Sequence, residues 1–389
     1  MGRVRSSAIR DLLAVAERPD VVSLAGGLPA PESFPVAAIA DATARILAAD
    51  AGRALQYSTT EGYEPLRAWI AGRHRVHPDR VLITQGSQQA LDLVVRTLLD
   101  PGARVALVDP GYLGAIQVLH LAAAELVGLP DDGTGIDLGA VARARPDAVY
   151  VVPNFHNPTG ATLRCRRELI ALAEQEGFLL IEDDPYPDLR WAGTAPPARD
   201  SDHVVTLGSF SKVLAPGLRV GYLVAPAALI RPLAIVKQAL DLNTGTLAQR
   251  IVHAVVTEPW FLTSHLASIR TRYRQRAEAL TRGLRDTLGL DVAVPDGGMF
   301  VWTHLGVDTS ALLPLAVAEG VAFVPGAAFA VDRPDPGALR LSFATADPEH
   351  LALGVERLAR AVHALSRRSA KMPAAYPGPN APARRPTVA

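Results

Sequence analysis

Short apolar runs alternate with stretches of helical periodicity from residue 81 onward. Runs of four or five apolar residues are typical of strands that are buried on both faces of a sheet. These runs occupy residues 81–84, 105–108, 148–152, 178–181, 204–207 and 220–224. Helical patterns between them occupy residues 88–99, 113–123, 166–176 and 227–240. This alternation predicts an α/β fold in which helices cover both faces of a mostly parallel sheet.

The pattern changes in the last third of the chain. One long helix is predicted over residues 261–288, and a second, smaller domain is predicted to start near Gly283. Its predicted elements are a strand region at 292–302 with a turn at Gly297-Gly298, a helix at 310–319, strands at 321–324 and 339–343, and a helix at 348–366. The proline-rich tail from Arg367 is predicted to be disordered.

The N-terminal residues 3–16 have helical spacing, but the Gly/Pro-containing segment 21–31 cannot continue a helix. We therefore expect an N-terminal arm or lid. With 389 residues and 49% hydrophobic content, the chain is long enough for two domains.

Charge and cysteine content exclude several function classes. The 39 basic and 39 acidic residues balance, so the electrostatic signature of a nucleic-acid-binding protein is missing. The single cysteine, Cys165, excludes an internal disulfide framework and a multi-cysteine metal site. No signal-peptide core and no apolar stretch of membrane-spanning length is present. We expect a cytoplasmic protein that binds neither nucleic acid nor membranes.

Lysine is almost absent from the chain, since only Lys212, Lys237 and Lys371 occur among the 39 basic residues. Arginine can replace lysine in surface charge, but it cannot lose its proton and attack a carbonyl group. Lys371 lies in the tail, and Lys237 is predicted to occupy a solvated helix position. Lys212 directly follows a predicted strand and is flanked by serines, which makes it the candidate nucleophile.

Three further segments follow predicted strands, and each is ambiguous alone. Gly86 to Leu91 opens a helix, so its free N–H groups and Ser87 predict a phosphate site; a plain helix cap is the alternative. The segment from Asn154 to Gly160 also ends a predicted strand, and an ordinary turn is the alternative to a binding site, because Asn-Pro is a common turn signal. The carboxylates at 182–184 repel one another unless one meets a cation, and no histidine cluster accompanies them to favour a metal.

Taken together and in this order, these segments resemble the fold-type I aminotransferases that use pyridoxal 5′-phosphate, within the 2-aminoadipate, kynurenine and aromatic aminotransferase group. The strongest match is residues 209–221, with an arginine seven residues after the lysine. The resemblance covers roughly residues 9–365. It implies a large domain with a mixed, mostly parallel seven-stranded sheet and a smaller α+β domain. We assign residues 1–45 to an N-terminal arm and part of the small domain, 46–283 to the large domain, 284–366 to the small domain and 367–389 to the tail.

The resemblance implies a role for each matching residue. Lys212 would bind the cofactor as a Schiff base and transfer protons, and Asp183 would pair with its ring nitrogen because it lies three residues before Tyr186. Tyr186 and Asn157 would bond the ring oxygen O3′, and Tyr112 would stack on the ring. The phosphate would be bound by Ser87, Gln88, Ser209, Ser211 and Arg219.

Substrate and partner sites follow from the same resemblance. Arg340, otherwise an odd charge on a half-buried strand, would bind the substrate α-carboxylate together with Gly27 and Asn157; an internal ion pair is the alternative. Arg10 would bind a distal carboxylate or have a plain surface role. Tyr57 resembles the tyrosine that reaches the phosphate of a neighbouring subunit, which implies a homodimer.

Two residues depart from the pattern of the group. His156 stands where glutamine is usual, and Gly111 precedes Tyr112 where serine or threonine is common. Both positions lie near the expected cofactor, so they bear on substrate choice more than on cofactor binding.

The expected reaction is transfer of an amino group from an L-amino acid to a 2-oxo acid by a ping-pong cycle through pyridoxamine phosphate. One alternative keeps the cofactor but diverts the chemistry to oxidation, elimination or cyclisation. A second alternative is a sensor domain of a transcription regulator, which would need a winged-helix domain that we do not find before Ser23.

Overall fold

The computed structural model describes residues 18–131, 135–196 and 200–371. Its strands, in chain order, are β1 (Val22–Ser23), β2 (Val81–Thr84), β3 (Arg104–Asp109), β4 (Glu125–Pro130), β5 (Ala148–Val151), β6 (Leu179–Asp183), β7 (Val204–Ser209), β8 (Gly221–Val224), β9 (Phe300–His304), β10 (Val321–Ala322), β11 (Val324–Pro325) and β12 (Ala338–Ser342).

The helices in this part of the chain are α1 (Val36–Ala54), α2 (Glu64–His74), α3 (Ser87–Leu98), α4 (Leu113–Leu121), α5 (Leu138–Ala144), α6 (Arg166–Glu176), α7 (Ala227–Asp241), α8 (Thr246–Thr257), α9 (Phe261–Leu288), α10 (Thr309–Ala318) and α11 (Pro348–Lys371). Helix α9 has the predicted bounds, and it ends at Gly289, whose left-handed conformation (φ 68°) is readily adopted by glycine.

Seven strands form the central sheet in the order β2-β8-β7-β6-β5-β3-β4. Strand β8 is antiparallel to both its neighbours, and the remaining pairs are parallel. Side chains alternate between two apolar clusters: Val105 and Leu107 belong to one, and Ala106 and Val108 to the other. Burial of both faces explains why these strands are continuous apolar runs. The mixed seven-stranded α/β sheet is therefore confirmed.

The sequence pattern missed β4, which lies at the edge of this sheet. Most of its residues are partly exposed, and it includes a glycine and a proline. An edge strand needs no continuous apolar run, so its sequence lacks the signal that identified the other six.

A separate three-stranded sheet has the order β11-β12-β9 and is antiparallel. The strand region predicted at 292–302 is regular only from Phe300, because the turn at Gly297-Gly298 precedes β9. The single strand predicted at 321–324 is two short ones, since β10 pairs with β1 and β11 pairs with β12.

Four helices were not predicted: α1, α2, α5 and α8. In α1 the fully buried positions are Ala42 and Ala54. Alanine is only weakly hydrophobic, so the sequence shows little difference between the buried and exposed positions of this helix. Helix α11 continues to Lys371, five residues beyond its predicted end at Ser366, and the predicted disorder therefore does not apply to residues 367–371. The rest of that tail and Arg10 lie outside the described residues.

Lys237 on α7 is not solvated, as the sequence had led us to predict, but is fully buried. Its Nζ lies 2.7 Å from Asp241 Oδ1, one helical turn later. The prediction was wrong because the neighbouring α3 and β2 cover this face of α7. None of the described helices is both long and apolar enough to cross a membrane.

Asp109, at the end of β3, joins the central sheet to the loop before β12. Its Oδ1 accepts the N–H of Val331 at 2.9 Å, and its Oδ2 accepts those of Asp332 and Arg333 at 3.1 and 2.9 Å. One carboxylate thus satisfies three backbone donors that lie more than 220 residues away in sequence.

Replacing Asp109 with alanine should lower the free energy of unfolding by about 1–3 kcal/mol, since the three donors lose their acceptor. Urea denaturation measures the change. Asp92→Ala is the control: Asp92 makes a local, partly exposed ion pair with Arg96, whose loss should cost less than about 1 kcal/mol. Equal midpoints for the two variants would contradict the role given to Asp109.

Candidate active site

The strands β2, β3, β5, β6 and β7 are parallel to one another, so their carboxyl ends lie on the same side of the central sheet. Strand β8 runs the other way and begins on this side, where Gly221 pairs with Thr84 and Ser209. The loops that follow these strand ends surround a cavity of about 260 Å³. Ligands of such sheets bind at this position.

Twelve of the residues predicted for the site line this cavity: Gly27, Ser87, Gln88, Tyr112, Asn157, Asp183, Tyr186, Ser209, Ser211, Lys212, Arg219 and Arg340. Tyr57 does not line it; this side chain is 76% exposed. The cavity is also lined by Gly86, which belongs to the predicted phosphate segment, and by three residues to which no role was assigned: Leu28, Val152 and Pro185.

Lys212 follows β7 and reaches into the cavity, where its Nζ donates to the carbonyl oxygen of Gly27 at 3.0 Å. Burial lowers the pKa of this amine to about 8, and the positive charges of Arg340 and Arg219 act in the same direction. Asp183 opposes the shift. The site therefore favours the neutral, nucleophilic form of the amine more than water does.

Asp183 is the last residue of β6 and is buried. Its Oδ2 accepts the hydroxyl of Tyr150 at 2.9 Å, and its Oδ1 has no hydrogen-bond partner among the described residues. Burial raises the pKa of this carboxyl group to about 6, although Tyr150 and Lys212 oppose the shift. A buried carboxylate oxygen without a partner is costly, which points to a ligand that donates to it.

The two neighbouring carboxylates have protein partners. Glu182 forms a buried ion pair with Arg166, with both N–O distances 2.7 Å. Asp184 accepts the side-chain amide of Asn154 at 2.9 Å. Only Asp183 of the three lines the cavity. The sequence did not reveal Arg166 or Tyr150, since both partners lie at least 16 residues away.

A candidate anion-binding site, here called the anion cradle, lies at the start of α3 and comprises Gly86, Ser87, Ser209, Ser211 and Arg219. Gly86 caps this helix with φ 85°, and a side chain there would come within 2.7 Å of Arg219. With glycine as its N-cap residue, α3 has no side-chain cap, and Ser87 at its start lines the cavity together with Ser209, Ser211 and Arg219. Helix N-termini with a nearby arginine bind phosphate groups.

Arg340 lies on β12, 2% exposed, on the opposite wall of the cavity. Its Nη1 donates to Asn157 Oδ1 at 2.7 Å, its Nη2 donates to the carbonyl oxygen of Ala25, and Phe300 and Phe329 pack against it at 4.4 and 5.0 Å. Among the described residues it forms no salt bridge, and its Nε has no partner. The alternative of an internal ion pair is therefore not supported.

Aromatic hydroxyl groups complete the cavity. The hydroxyl of Tyr112 donates to Gln88 Oε1 at 3.3 Å, and burial raises its pKa to about 12. Burial raises the pKa of Tyr186 further still, although a hydrogen bond with Asn157 opposes the shift. Both tyrosines are protonated at neutral pH; the hydroxyl of Tyr186 can donate a hydrogen bond to a ligand, whereas that of Tyr112 already donates to Gln88.

The two residues that depart from the group's pattern, His156 and Gly111, are the sequence neighbours of the cavity-lining residues Asn157 and Tyr112. His156 is buried, its Nδ1 lies 3.0 Å from Thr159 Oγ1, and burial lowers its pKa to about 4, so the ring is neutral. At Gly111 an added side chain would lie 3.0 Å from the carbonyl oxygen of Val108 and 3.2 Å from Val331. The close approach of the loop that Asp109 binds accounts for glycine at this position.

The comparisons with known proteins agree with this chemistry. A sequence profile described as aminotransferase class I and II matches residues 19–358. The chain belongs to this family. It is 43% identical to the 2-aminoadipate transaminase of Thermus thermophilus over 381 residues, which cover 94% of this chain and 96% of that protein. It is 39% identical to aromatic-amino-acid aminotransferase 1 of Thermococcus litoralis over 384 residues, 92% of each.

Solved structures agree with the sequence relatives. The crystal structure of the α-aminoadipate aminotransferase of Thermus thermophilus with N-(5′-phosphopyridoxyl)-L-leucine has a TM-score of 0.88 to this chain. The two are 41% identical, and the match covers 94% of this chain and 97% of that one. This aminotransferase therefore has the fold-type I architecture and uses pyridoxal 5′-phosphate to transfer amino groups between amino acids and 2-oxo acids.

The residues of this aminotransferase fit the cofactor. Asp183 Oδ1 has no donor in the described ranges, the helix start after Gly86 lies beside Arg219, and Lys212 is an amine with a lowered pKa. These three features lie around one cavity and match a protonated ring nitrogen, a phosphate and an aldehyde.

The pKa of Lys212 predicts how the apo form of this aminotransferase captures its cofactor. The neutral amine is the reactive form, so the rate of covalent capture should rise about tenfold per pH unit below about pH 8 and level off above it. Stopped-flow absorbance measures this rate. Nα-acetyl-lysine, whose only amine is the side chain, is the control, since its rate should keep rising to about pH 10. A profile identical to that of Nα-acetyl-lysine would contradict the lowered pKa.

Proposed function

We propose that this aminotransferase uses L-2-aminoadipate and aromatic L-amino acids as donors, and that Lys212, Asp183 and Arg340 carry the central roles. The supporting observation is Arg340: a buried guanidinium that has no carboxylate partner within the described part of the chain, on the same cavity as a lysine of lowered pKa. The names of the relatives, 2-aminoadipate transaminase and aromatic-amino-acid aminotransferase, support the proposed donors.

The cofactor, when bound, supplies an aldehyde that accepts the amino group and a ring that withdraws electrons from the substrate α-carbon. Lys212 Nζ takes the proton from that carbon, which requires its neutral form. Arg340 binds the α-carboxylate through its planar fork, and Asn157, already bonded to Arg340, orients it. Gly27 closes this side of the cavity, where a side chain would come within 2.9 Å of Phe300.

Asp183 has the role of keeping a proton on the ring nitrogen, and the Tyr150 hydroxyl holds its carboxylate in place. Tyr186 and Asn157 would bind O3′, Tyr112 would stack on the ring, and Ser87, Gln88, Ser209, Ser211 and Arg219 would hold the phosphate. The pKa of about 6 leaves Asp183 mostly ionised at neutral pH, as this role requires.

We also propose a homodimer in which Tyr57 reaches the phosphate of the neighbouring subunit. Leu55 and Tyr57 are 69% and 76% exposed, and Leu242 and Trp260 are 43% and 85% exposed. Exposed apolar groups of this size are typical of protein contacts. Sedimentation equilibrium tests the dimer, and a reduced cofactor affinity of Tyr57→Phe tests the role of the hydroxyl.

We assign residues 46–283 to a large domain and residues 284–366 to a small one, with 1–45 as an N-terminal arm and part of the small domain and 367–389 as a tail. The central sheet lies within the first range and the three-stranded sheet within the second.

Arg10 in the arm is proposed to bind a distal carboxylate, and the protein is proposed to be cytoplasmic and to act in amino acid biosynthesis. Limited proteolysis tests the boundaries, and cell fractionation tests the location.

The donor is identified by adding single L-amino acids, without a 2-oxo acid, to the protein with bound cofactor. L-2-aminoadipate and aromatic amino acids should bleach the visible band and release one equivalent of 2-oxo acid. A second 2-oxo acid should restore the band. Consumption of oxygen, or ammonia release without an acceptor, would contradict the proposal and favour diverted chemistry.

A further inference from the structure

A buried ion pair lies directly behind the anion cradle. The Nζ of Lys237 on α7 lies 2.7 Å from Asp241 Oδ1, and Lys237 is 0% exposed. Only three lysines occur beside 36 arginines in this chain, so a fully buried lysine outside the active site requires an explanation. A buried ion pair adds little net stability, because the cost of desolvating both charges offsets their attraction, so stability alone does not explain this lysine.

The second oxygen of Asp241 connects this pair to the cradle. Asp241 Oδ2 accepts the side-chain amides of Gln85 at 2.9 Å and of Gln89 at 2.7 Å. Gln85 precedes the turn from β2 into α3, and Gln89 lies in the first turn of α3. One carboxylate therefore contacts both sides of the turn at residues 85–87.

The backbone N–H and the carbonyl oxygen of Gln85 each form a hydrogen bond with a side chain. Its N–H donates to Gln89 Oε1 at 2.7 Å, and its carbonyl oxygen accepts Arg219 Nη2 at 2.7 Å. Thr84 also donates to the carbonyl oxygen of Gly86 at 3.0 Å. The orientation of the N–H groups that follow in the turn thus depends on Gln89, which Asp241 holds in place.

We propose that Lys237 and Asp241 are positioning residues for the phosphate-binding turn, and that through Gln85 and Gln89 they set the affinity for pyridoxal 5′-phosphate. This inference rests on the proposed function, which assigns the turn to the phosphate. Lysine suits the position because its compact ammonium group makes one short contact with Asp241 Oδ1, whereas a guanidinium fork needs more space and more acceptors.

The test compares two substitutions with a matched control. Gln89→Met has a similar length but removes the acceptor of Gln85 N–H and a donor to Asp241. Lys237→Met removes the charge that orients Asp241 without touching the turn. Gln175→Met, at an exposed position near the end of α6, is the same change away from the site.

Each variant is prepared without cofactor, and the dissociation constant of pyridoxal 5′-phosphate is measured by fluorescence titration, with inorganic phosphate as competitor. We expect an increase of about tenfold for Gln89→Met, since a hydrogen bond to a charged group and a neutral one are lost. Lys237→Met should show an increase of about threefold or more, and Gln175→Met none. Because the lost hydrogen bonds also stabilise the fold, the melting temperature of each apo variant is measured alongside the dissociation constant.

Unchanged dissociation constants in Gln89→Met would overturn the inference, whether or not Lys237→Met folds. A lower melting temperature with an unchanged constant would assign these residues a purely structural role and would also overturn it. A wild-type protein whose cofactor binding does not compete with phosphate would instead contradict the proposed function itself. The two failures are therefore distinguishable.

Discussion

Replacing Lys212 with alanine should abolish covalent cofactor binding and slow amino-group transfer by at least about 10²–10⁴-fold, the usual contribution of a positioned acid–base group. The loss follows from the geometry, because Lys212 is the only lysine that lines the cavity among the described residues. The measurement is the single-turnover rate with an L-amino acid in the protein saturated with cofactor.

Two controls make the result for Lys212 specific. Lys212→Arg keeps the positive charge but cannot lose its proton at neutral pH, so it should be as inactive as the alanine variant. Lys371→Ala, at the end of α11, should leave the rate unchanged. Activity of Lys212→Arg near that of the wild type would show that the charge, and not the amine, is needed.

Replacing Arg340 with methionine should lower kcat/KM for L-amino acids by about 10²–10⁴-fold. The substrate carboxylate would lose two hydrogen bonds to a charged group, each worth about 1.5–3 kcal/mol. Arg340→Lys retains a charge but not the planar fork, so its kcat/KM should lie between those of the methionine variant and the wild type.

Three measurements separate carboxylate binding by Arg340 from a structural role. The preference for an amino acid over the corresponding amine without a carboxylate should disappear in Arg340→Met. The melting temperature of the apo protein should change little, since the substitution removes a buried charge, which offsets the loss of its hydrogen bonds to Asn157 and Ala25. Because Arg340 lowers the pKa of Lys212, the capture profile should also move to higher pH. An unchanged substrate preference would exclude the proposed role.

Much of the fold was predictable because its signals are local. The six apolar runs became β2, β3 and β5 to β8, and α9 has its predicted bounds. The misses have local reasons as well. Helix α1 buries only alanines at its fully covered positions, and β4 is an edge strand. In the region 292–302, Gly297 packs against Phe155, and an added side chain would come within 2.1 Å of that ring.

The cavity-lining residues were predictable for a different reason. Ten of the twelve predicted residues lie at the end of a central-sheet strand or in the loop or helix start next to one, and parallel strands bring their carboxyl ends together. Gly27 and Arg340 are different, since Gly27 follows β1 and Arg340 lies within β12 of the three-stranded sheet, and for these two only the family resemblance indicated the site. Tyr57 stays exposed and does not line the cavity. Arg10 lies outside the described residues.

The amino-acid sequence by itself determined the strands, the lysine at the end of β7, the acid at the end of β6 and the turn before α3. Only the tertiary structure decided their partners: Arg166 for Glu182, Tyr150 for Asp183, Asp241 for Gln85 and the loop after Phe329 for Asp109. Local patterns depend on neighbours within a few residues. Partners are chosen by strand order and helix packing, which bring together residues that are 16 to more than 220 positions apart.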